Sequence, residues 1–339
     1  GLFHKLRIMN KALFLCLFLS VFLVSCFKKE AGIALKTTGK INTIAVIIDD
    51  QLWNGEIGDS IRNKFAAPVL GLPQEEPLFT INQYPVSLLE GFARDTRSIL
   101  VIKKAAINKF EIKKNQYASP QNVFHISGKT TADIVQLLEQ HSPQIILQIK
   151  KGEITENQRI QQKSLLPTAS IKNRFQISIQ VPSDFEQVLV KPNFVWLKKK
   201  IISGSSSLLV YQVPMNTIIK SNTAVAILSM RDSIGKFVQG TEPNSYMIRE
   251  KGYTPYFFTS TLDNLLAYET RGTWQLQNDY MSGPFINYTI VDSINKRLVV
   301  LEGFCYSPSK EKRDVMHELD AIMHSVHVLK NNTFTPNKK

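Results

Sequence analysis

"PFINYTIVDSINKRLVVLEGFCY", residues 284–306, places two runs of strand-forming residues on either side of Ser293-Ile294-Asn295. β-branched and aromatic residues dominate both runs, and the three between them carry turn chemistry, so the stretch reads as a β-hairpin. Cys305 alternates with Val299, Leu301 and Gly303, which sets it on one strand face as a small core hydrophobe. Working outward, "SYMIR", "YFFTST" and "LLAYETRGTWQL" give strands upstream, and "FQISIQVP", "QVLV", "NFVWLKK" and "SLLVYQVP" give four more. Helical periodicity covers residues 223–237 and 309–328. The half from residue 167 onward is therefore expected to be an antiparallel sheet packed by helices.

The first half has a different rhythm. "TIAVIID" reads as a buried strand, followed by a helix with Ile57, Ile61 and Phe65 on its inner face. "LFTI", "SILVIK" and "NVFHIS" read as strands, with "VSLLEGFAR" as a helix. Thr130 with Asp133 forms a capping box for a helix through His141, and Ser142-Pro143 starts a second, longer helix towards Leu166. The fold class is α+β, built from two mixed α/β units covering residues 42–166 and 167–330, with a tail at 331–339.

The segment ahead of these units decides location. From Ala12 to Val24 the chain is apolar for about 13 residues, roughly 20 Å of helix against the ~30 Å of a bilayer core. A basic flank precedes it and small residues close it, the pattern of a signal peptide. Met9 makes a conventional start, so residues 1–8 read as upstream sequence. Leu23-Val24-Ser25-Cys26 resembles the bacterial lipobox. The expectation is a lipoprotein signal peptide at 1–25, acylation at Cys26 and a polar tether at 26–41. Two or three acyl chains hold a protein effectively permanently, where one is marginal. With Cys16 removed and Cys26 acylated, Cys305 is left without a disulfide partner.

The 339-residue chain is 43% hydrophobic and carries a formal charge of +13. Residues 1–25 hold three of the 41 basic residues and none of the 28 acids, so the remainder still carries +10. The lysines fall in pairs and triplets mixed with acids (Lys103-Lys104, Lys113-Lys114, Lys150-Lys151, Lys198 to Lys200), with no basic stripe interleaved with aromatics. Nucleic acid is not an expected partner. No P-loop, dinucleotide fingerprint, Gly-x-Ser-x-Gly or His-Glu-x-x-His occurs. Ser233-x-x-Lys236 and Ser307-x-x-Lys310 lack the companion elements of penicillin-recognising enzymes. Neither a cofactor nor a metal is implied.

"DDQLWNGEIGDSIRNKFAAPVLGLPQEEPLF", "RGTWQLQNDYMSGPFINYT" and "EGFCYSPSKEKRD" together resemble a Bacteroidetes lipoprotein family known only as domain of unknown function 4837. The resemblance extends over the whole mature chain and implies a location without a mechanism. Cys305, where an aliphatic residue is expected, and the histidine-rich last helix depart from the pattern, which counts against a functional role for them. More loosely, the second half resembles the Mog1/PsbP-type fold, which mostly hosts binding and assembly roles.

Candidate binding residues form two groups. Asp49 and Asp50 end a buried strand, where α/β proteins often place functional carboxylates, with Trp53 and Asn54 beyond as a rim; a turn or cap explains the pair equally well. Arg271, Trp274, Asn278 and Asp279 either recognise a polar ligand or form a hairpin loop with Trp274 in the core, and the loop is the preferred reading. On the last helix His317, Asp320, His324 and His327 are expected to face water, opposite Val315, Leu319, Ile322, Met323 and Val326. Asp-Ser-Ile occurs at residues 59–61, 232–234 and 292–294 and resembles an O-glycosylation acceptor of exported Bacteroidetes proteins. Ser293 lies in a turn and is the candidate; Ser60 and Ser233 fall in helices and are expected to be less accessible.

The reading is an outer-membrane lipoprotein without catalysis, binding or assembling with an envelope protein partner. Phe27 stands where a retention aspartate would, and Lys28-Lys29 replaces the acidic cluster of surface-export signals, so the periplasmic face is expected, with the cell surface as alternative. The rival is an envelope enzyme with a carboxylate site near Asp49 and Asp50.

Overall fold

A computed structural model describes residues 34–89, 91, 93–219 and 222–330. Cys26, the signal segment and the tail at 331–339 lie outside the described residues.

The first sheet has the order β2-β1-β3-β5-β4, from β1 (Thr43–Ile47), β2 (Thr80–Tyr84), β3 (Ser98–Lys104), β4 (Lys109–Lys114) and β5 (Asn122–Gly128). Strands β2, β1, β3 and β5 run parallel, and β4 pairs antiparallel with β5. The near-continuous apolar runs of β1 and β3 follow from burial on both faces. A helical turn α1 (Asp50–Trp53) leads into α2 (Glu56–Phe65), which buries Ile57, Ile61 and Phe65 as expected. With α3 (Thr131–Gln161) it covers Ile44, Val46, Leu100, Ile102, Phe124 and Ile126. Thr130 Oγ1 caps α3 by accepting from the Asp133 N–H at 3.1 Å.

Three elements of this half differ from the expectation. Where a helix is expected from residue 86, the described residues form a 3-10 turn at Val86–Leu88. Pro85 and Gly91 flank that turn, and the segment lies along the second sheet face, with Leu89 and Ala93 packed on Ile47, Ile99 and Val101. Strand β4 hid in "KFEIKK", where charge masks the alternation of Phe110 and Ile112; lysines are a common guard on an edge strand. Finally, α3 is one helix of 31 residues with Pro143 inside it. A proline within a helix costs about 3 kcal/mol, yet the buried row Ile134, Leu138, Ser142, Ile145, Ile149 continues through it unbroken. Packing against one continuous surface outweighs the lost N–H.

The second sheet has eight antiparallel strands in the order β10-β12-β13-β14-β9-β8-β7, with β11 on the free length of β12. They are β7 (Glu186–Lys191), β8 (Phe194–Ile201), β9 (Gly204–Pro214), β10 (Tyr246–Arg249), β11 (Tyr256–Leu262), β12 (Leu265–Gln277), β13 (Ser282–Asp292) and β14 (Arg297–Tyr306). One face packs on α4 (Ala169–Phe175) and α6 (Arg313–His324), joining Tyr288, Leu301 and Cys305 to Phe175, Leu319 and Met323. The other face lies under α5 (Thr223–Gly235), with Trp274, Phe285 and Phe304 in its core. Helix α4 and a two-residue strand β6 (Ile177–Ser178) replace the long strand expected from residue 175. The last helix ends at His324, and His327-Val328 form β15 against β6.

The two halves interlock. Leu72 belongs to the core beneath α6, and the Glu76 carboxylate accepts from the N–H groups of Lys312 and Arg313 at 2.9–3.0 Å, satisfying donors that a helix start leaves unpaired.

Candidate functional site

The row that α3 buries changes character along its length. After Ile149 it continues as Glu153, Glu156, Asn157 and Gln161, all buried. Here the helix crosses the second half, and its polar side chains meet α6. Asn157 Nδ2 donates to His317 Nδ1 at 2.8 Å, while Gln158 and Gln161 donate to the carbonyls of Ala321 and Glu318 at 3.0 and 2.9 Å. Glu153 takes a two-pronged ion pair from Arg97, both contacts at 3.2 Å, and accepts from the Asn42 N–H at 3.1 Å. Arg97 also donates to the carbonyls of Gly39 and Lys40, each at 3.0 Å. The end of the tether is thus stitched to α3 through a buried charge pair. Burial raises the Glu153 carboxyl above its ordinary range, opposed by Arg97.

Beside this crossing lies a second cluster. Glu269 and Arg271 are two apart on β12 and share a face; Tyr288 is the register partner of Glu269 on β13; Asp320 and His324 stand one turn apart on α6. Arg271 Nη2 donates to Asp320 at 3.0 Å and to Glu269 at 2.9 Å. Tyr288 Oη lies 2.7 Å from Asp320 and 3.0 Å from Glu269, and His324 Nδ1 lies 3.1 Å from Asp320 Oδ1. Gly71, at φ +89°, packs so closely that an added Cβ would stand 2.8 Å from the Arg271 Cβ. Burial opposes the Asp320 charge, but Arg271 and His324 overcome it and hold the carboxyl well below its usual range. Burial pushes the Tyr288 phenol well above its own, with the Asp320 charge adding to it. Burial works against a charge on His324, and the bond to Asp320 reverses that, so its pKa is raised. Lys150, from α3, is lowered by crowding and by Arg271. A carboxylate held this firmly ionised is a poor proton donor and a weak base, and its neighbours are committed to it. The arrangement suits a brace.

His317 behaves oppositely, lowered from 6.5 to about 4 by burial. Between those values the unfolded chain binds a proton that the folded chain refuses, so stability falls as pH drops through the window. His317→Gln is expected to flatten the fall between pH 6.5 and about 4, read as urea midpoints across that range.

The structure disperses the residues singled out in the sequence. Asp49 and Asp50 are exposed; Asp49 accepts from the Val86 N–H at 3.3 Å and Asp50 from Gln83 at 3.0 Å. Trp53 lies under the Arg62 guanidinium, 4.4 Å from its ring centroid, and Asn54 is exposed. Trp274 points to the sheet face opposite Arg271, is buried, and donates to the Cys305 carbonyl at 3.2 Å. Asn278 turns the hairpin at φ +60°, and Asp279 accepts from the Tyr280 N–H at 2.7 Å. Asp49 and Asp50 thus bond Val86 and Gln83, whereas Arg271 bonds Glu269 and Asp320 and Asp279 bonds Tyr280. Burial pushes the Cys305 thiol up to about 12, far from a reactive thiolate. Among the described residues no group of three or more His, Cys, Asp or Glu is gathered as a metal site.

Two expectations are corrected. His317 and Asp320 do not face water, because α3 meets His317 and β12 and β13 cover Asp320, which is 8% exposed. His327 sits on β15 rather than the helix. Ser293 is exposed in its turn, where Asp292 is held by Asn295 and Arg297. Ser60 is half-buried, whereas Ser233 is exposed on α5, contrary to expectation.

Residues 164–325 match the family described as "Domain of unknown function (DUF4837)", and residues 37–162 match "Domain of unknown function (DUF8532)". Each half of the chain is thus similar to a different domain of unknown function. The border between the matches falls where α3 ends, so the resemblance to DUF4837 rests on the second half and the Asp49 motif lies within the DUF8532 match. No curated protein matches the chain. Among solved structures, the Ran-binding protein Mog1p of Saccharomyces cerevisiae is similar at 12% identity, covering 45% of this chain and 90% of that one, with a TM-score of 0.32. LpqN of Mycobacterium tuberculosis, described as involved in cell envelope biogenesis, is similar at 12% identity, covering 45% and 83%, with a TM-score of 0.29. Among the described residues no helix is long and apolar enough to cross a membrane.

Proposed function

We propose that this chain is a cell-envelope lipoprotein, acylated at Cys26, held on the periplasmic face of the outer membrane and acting there as a non-catalytic component that binds or assembles with an envelope protein. The observation that carries the reading is Leu23-Val24-Ser25-Cys26 closing an apolar run too short to span a bilayer. Two features of the fold support it. The end of the tether is gripped by the buried Arg97–Glu153 pair, which fastens it to α3, the helix that also meets α6. The charged cluster around Asp320 satisfies its own charges and ties α6 to β12 and β13. Cys26→Ser is expected to move the protein from the membrane fraction of the host to the soluble fraction. Equal retention of the serine variant would refute the anchor. Surface biotinylation of intact cells checks the face, with the periplasmic reading requiring protection. Crosslinking in host membranes is expected to return a stable protein partner.

A further inference from the structure

Parallel sheets are almost always covered on both faces, whereas an antiparallel pair can leave one face to water, and the five-stranded sheet ends in such a pair at its β5–β4 side. On the face away from α2 and α3, Tyr84, Val86, Leu89, Ala93 and Tyr117 pack on Ala45, Ile47, Ile99, Val101 and Val123. The same face continues outward as Lys103, His125, Ser127, Lys109, Glu111 and Lys113. Register places them together: Lys103 beside Ser127, Ser127 beside Lys109, His125 beside Glu111, and Val123 beside Lys113. The three lysines are exposed. Glu111 pairs with Lys109 at 3.0 Å, which leaves the patch cationic. His125, at the centre of the patch, is lowered by burial and by the charges of Lys113, Lys103 and Lys109, against the Glu111 charge. At one end of the patch the turn at residues 105–108 presents Ile107, 71% exposed, between Lys104 and Lys109.

The tether emerges beside this face. The Ser119 N–H donates to the Leu35 carbonyl at 2.8 Å, and the loop that holds Ser119 also holds Gln116, which bonds His125 at 2.7 Å. Seven residues lie between Cys26 and Ala34, so the eight steps reach at most about 28 Å. Exposed Leu35 and Lys36 begin the folded body there.

We propose that the cationic sheet face bearing Lys103, Lys109 and Lys113 lies flat against the anionic phosphate headgroups of the membrane that holds the acyl anchor. The inference rests on acylation of Cys26. Charge complementarity selects the lipid surface, and the short tether supplies the proximity: a tethered patch meets its surface at high effective concentration, so modest attraction sets orientation. Each lysine near an anionic surface is worth about fivefold in occupancy.

The test uses the full acylated chain, its acyl mass verified first, in vesicles of phosphatidylcholine alone or with about a third phosphatidylglycerol. Lysine acetylation is then mapped by mass spectrometry. Lys103, Lys109 and Lys113 are expected to label at least about fivefold more slowly on the anionic vesicles, with high salt abolishing the difference, while Lys172 and Lys296 label equally on both. The triple variant K103E/K109E/K113E, whose changes are all on exposed side chains, is expected to expose the neighbouring Lys36 on anionic vesicles. Equal labelling of the three lysines on both vesicle types overturns the proposal and leaves the anchor standing. Protection in native membranes but not in anionic vesicles also overturns it, assigning the face to another acidic partner. A chain without acyl mass overturns both readings.

Discussion

Glu302→Gln is expected to destabilise the fold by about 3–5 kcal/mol, the cost of leaving one charge of a buried pair without its partner. Glu302 lies on β14 in the middle of the sheet face beneath α5, 2% exposed, and its carboxylate accepts from Arg231 Nη2 at 3.0 Å and from Asn287 Nδ2 at 2.9 Å. Arg231, 4% exposed, also lies over the Phe285 ring at 3.3 Å from its centroid, a position that holds the guanidinium inside the core. Glutamine keeps the shape and one acceptor, so the loss isolates the charge. Replacing the pair together, as Arg231→Met with Glu302→Leu, is expected to recover a good part of the loss, because packed apolar groups often equal a buried ion pair. Asn287 forfeits an acceptor in that variant, which keeps the recovery incomplete. Urea midpoints at constant m-value check both.

Asp320→Asn is expected to cost about 2–3 kcal/mol and to change the titration of its neighbours. Arg271 retains Glu269, which holds the cost below that at Glu302. The pH signature is more specific. Because the folded carboxyl is held low, its contribution is present above the unfolded value near 3.8 and is lost as pH falls below it. His324 has the opposite sign: its contribution is full below 6.5 and disappears as pH rises through its higher folded value. Removing the Asp320 charge removes the first dependence and weakens the second. In NMR titrations His324 is expected to fall, since burial then meets only the Asp320 backbone carbonyl and the Glu269 charge. An unmoved His324 would show that the cluster does not act as one unit.

Much of the fold was readable because its strongest signals are periodic. The hairpin at residues 284–306, the buried strands around Val46 and Leu100, and the inner face Ile57, Ile61, Phe65 all formed where their patterns placed them. What escaped lacked a local sign. Helix α4 ends on Gln176 in a left-handed conformation rather than on a glycine, so its stop was invisible. The long α3 was cut at Pro143 because local propensity cannot weigh the surface packed on either side of it. The junction was missed for a related reason. Asn157 and Gln161 occupy the same helical row as Ile145 and Ile149, a spacing that marks a face turning from apolar to polar cover, yet polar residues in isolation read as solvated. Arg271 was singled out, but for recognition at the surface. Glu269 and Tyr288 depend on strand register, and Asp320 on which strands its helix packs against, and neither is written in the neighbouring residues.

Intact mass and N-terminal peptide mapping of the protein extracted from its host membrane test the anchor most directly. The account predicts a mature chain that begins at Cys26 and carries a thioether-linked diacylglycerol with a further acyl group on its amine, with added sugar mass on the peptide that holds Ser293. A chain that retains residues ahead of Cys26 with its thiol free would contradict it.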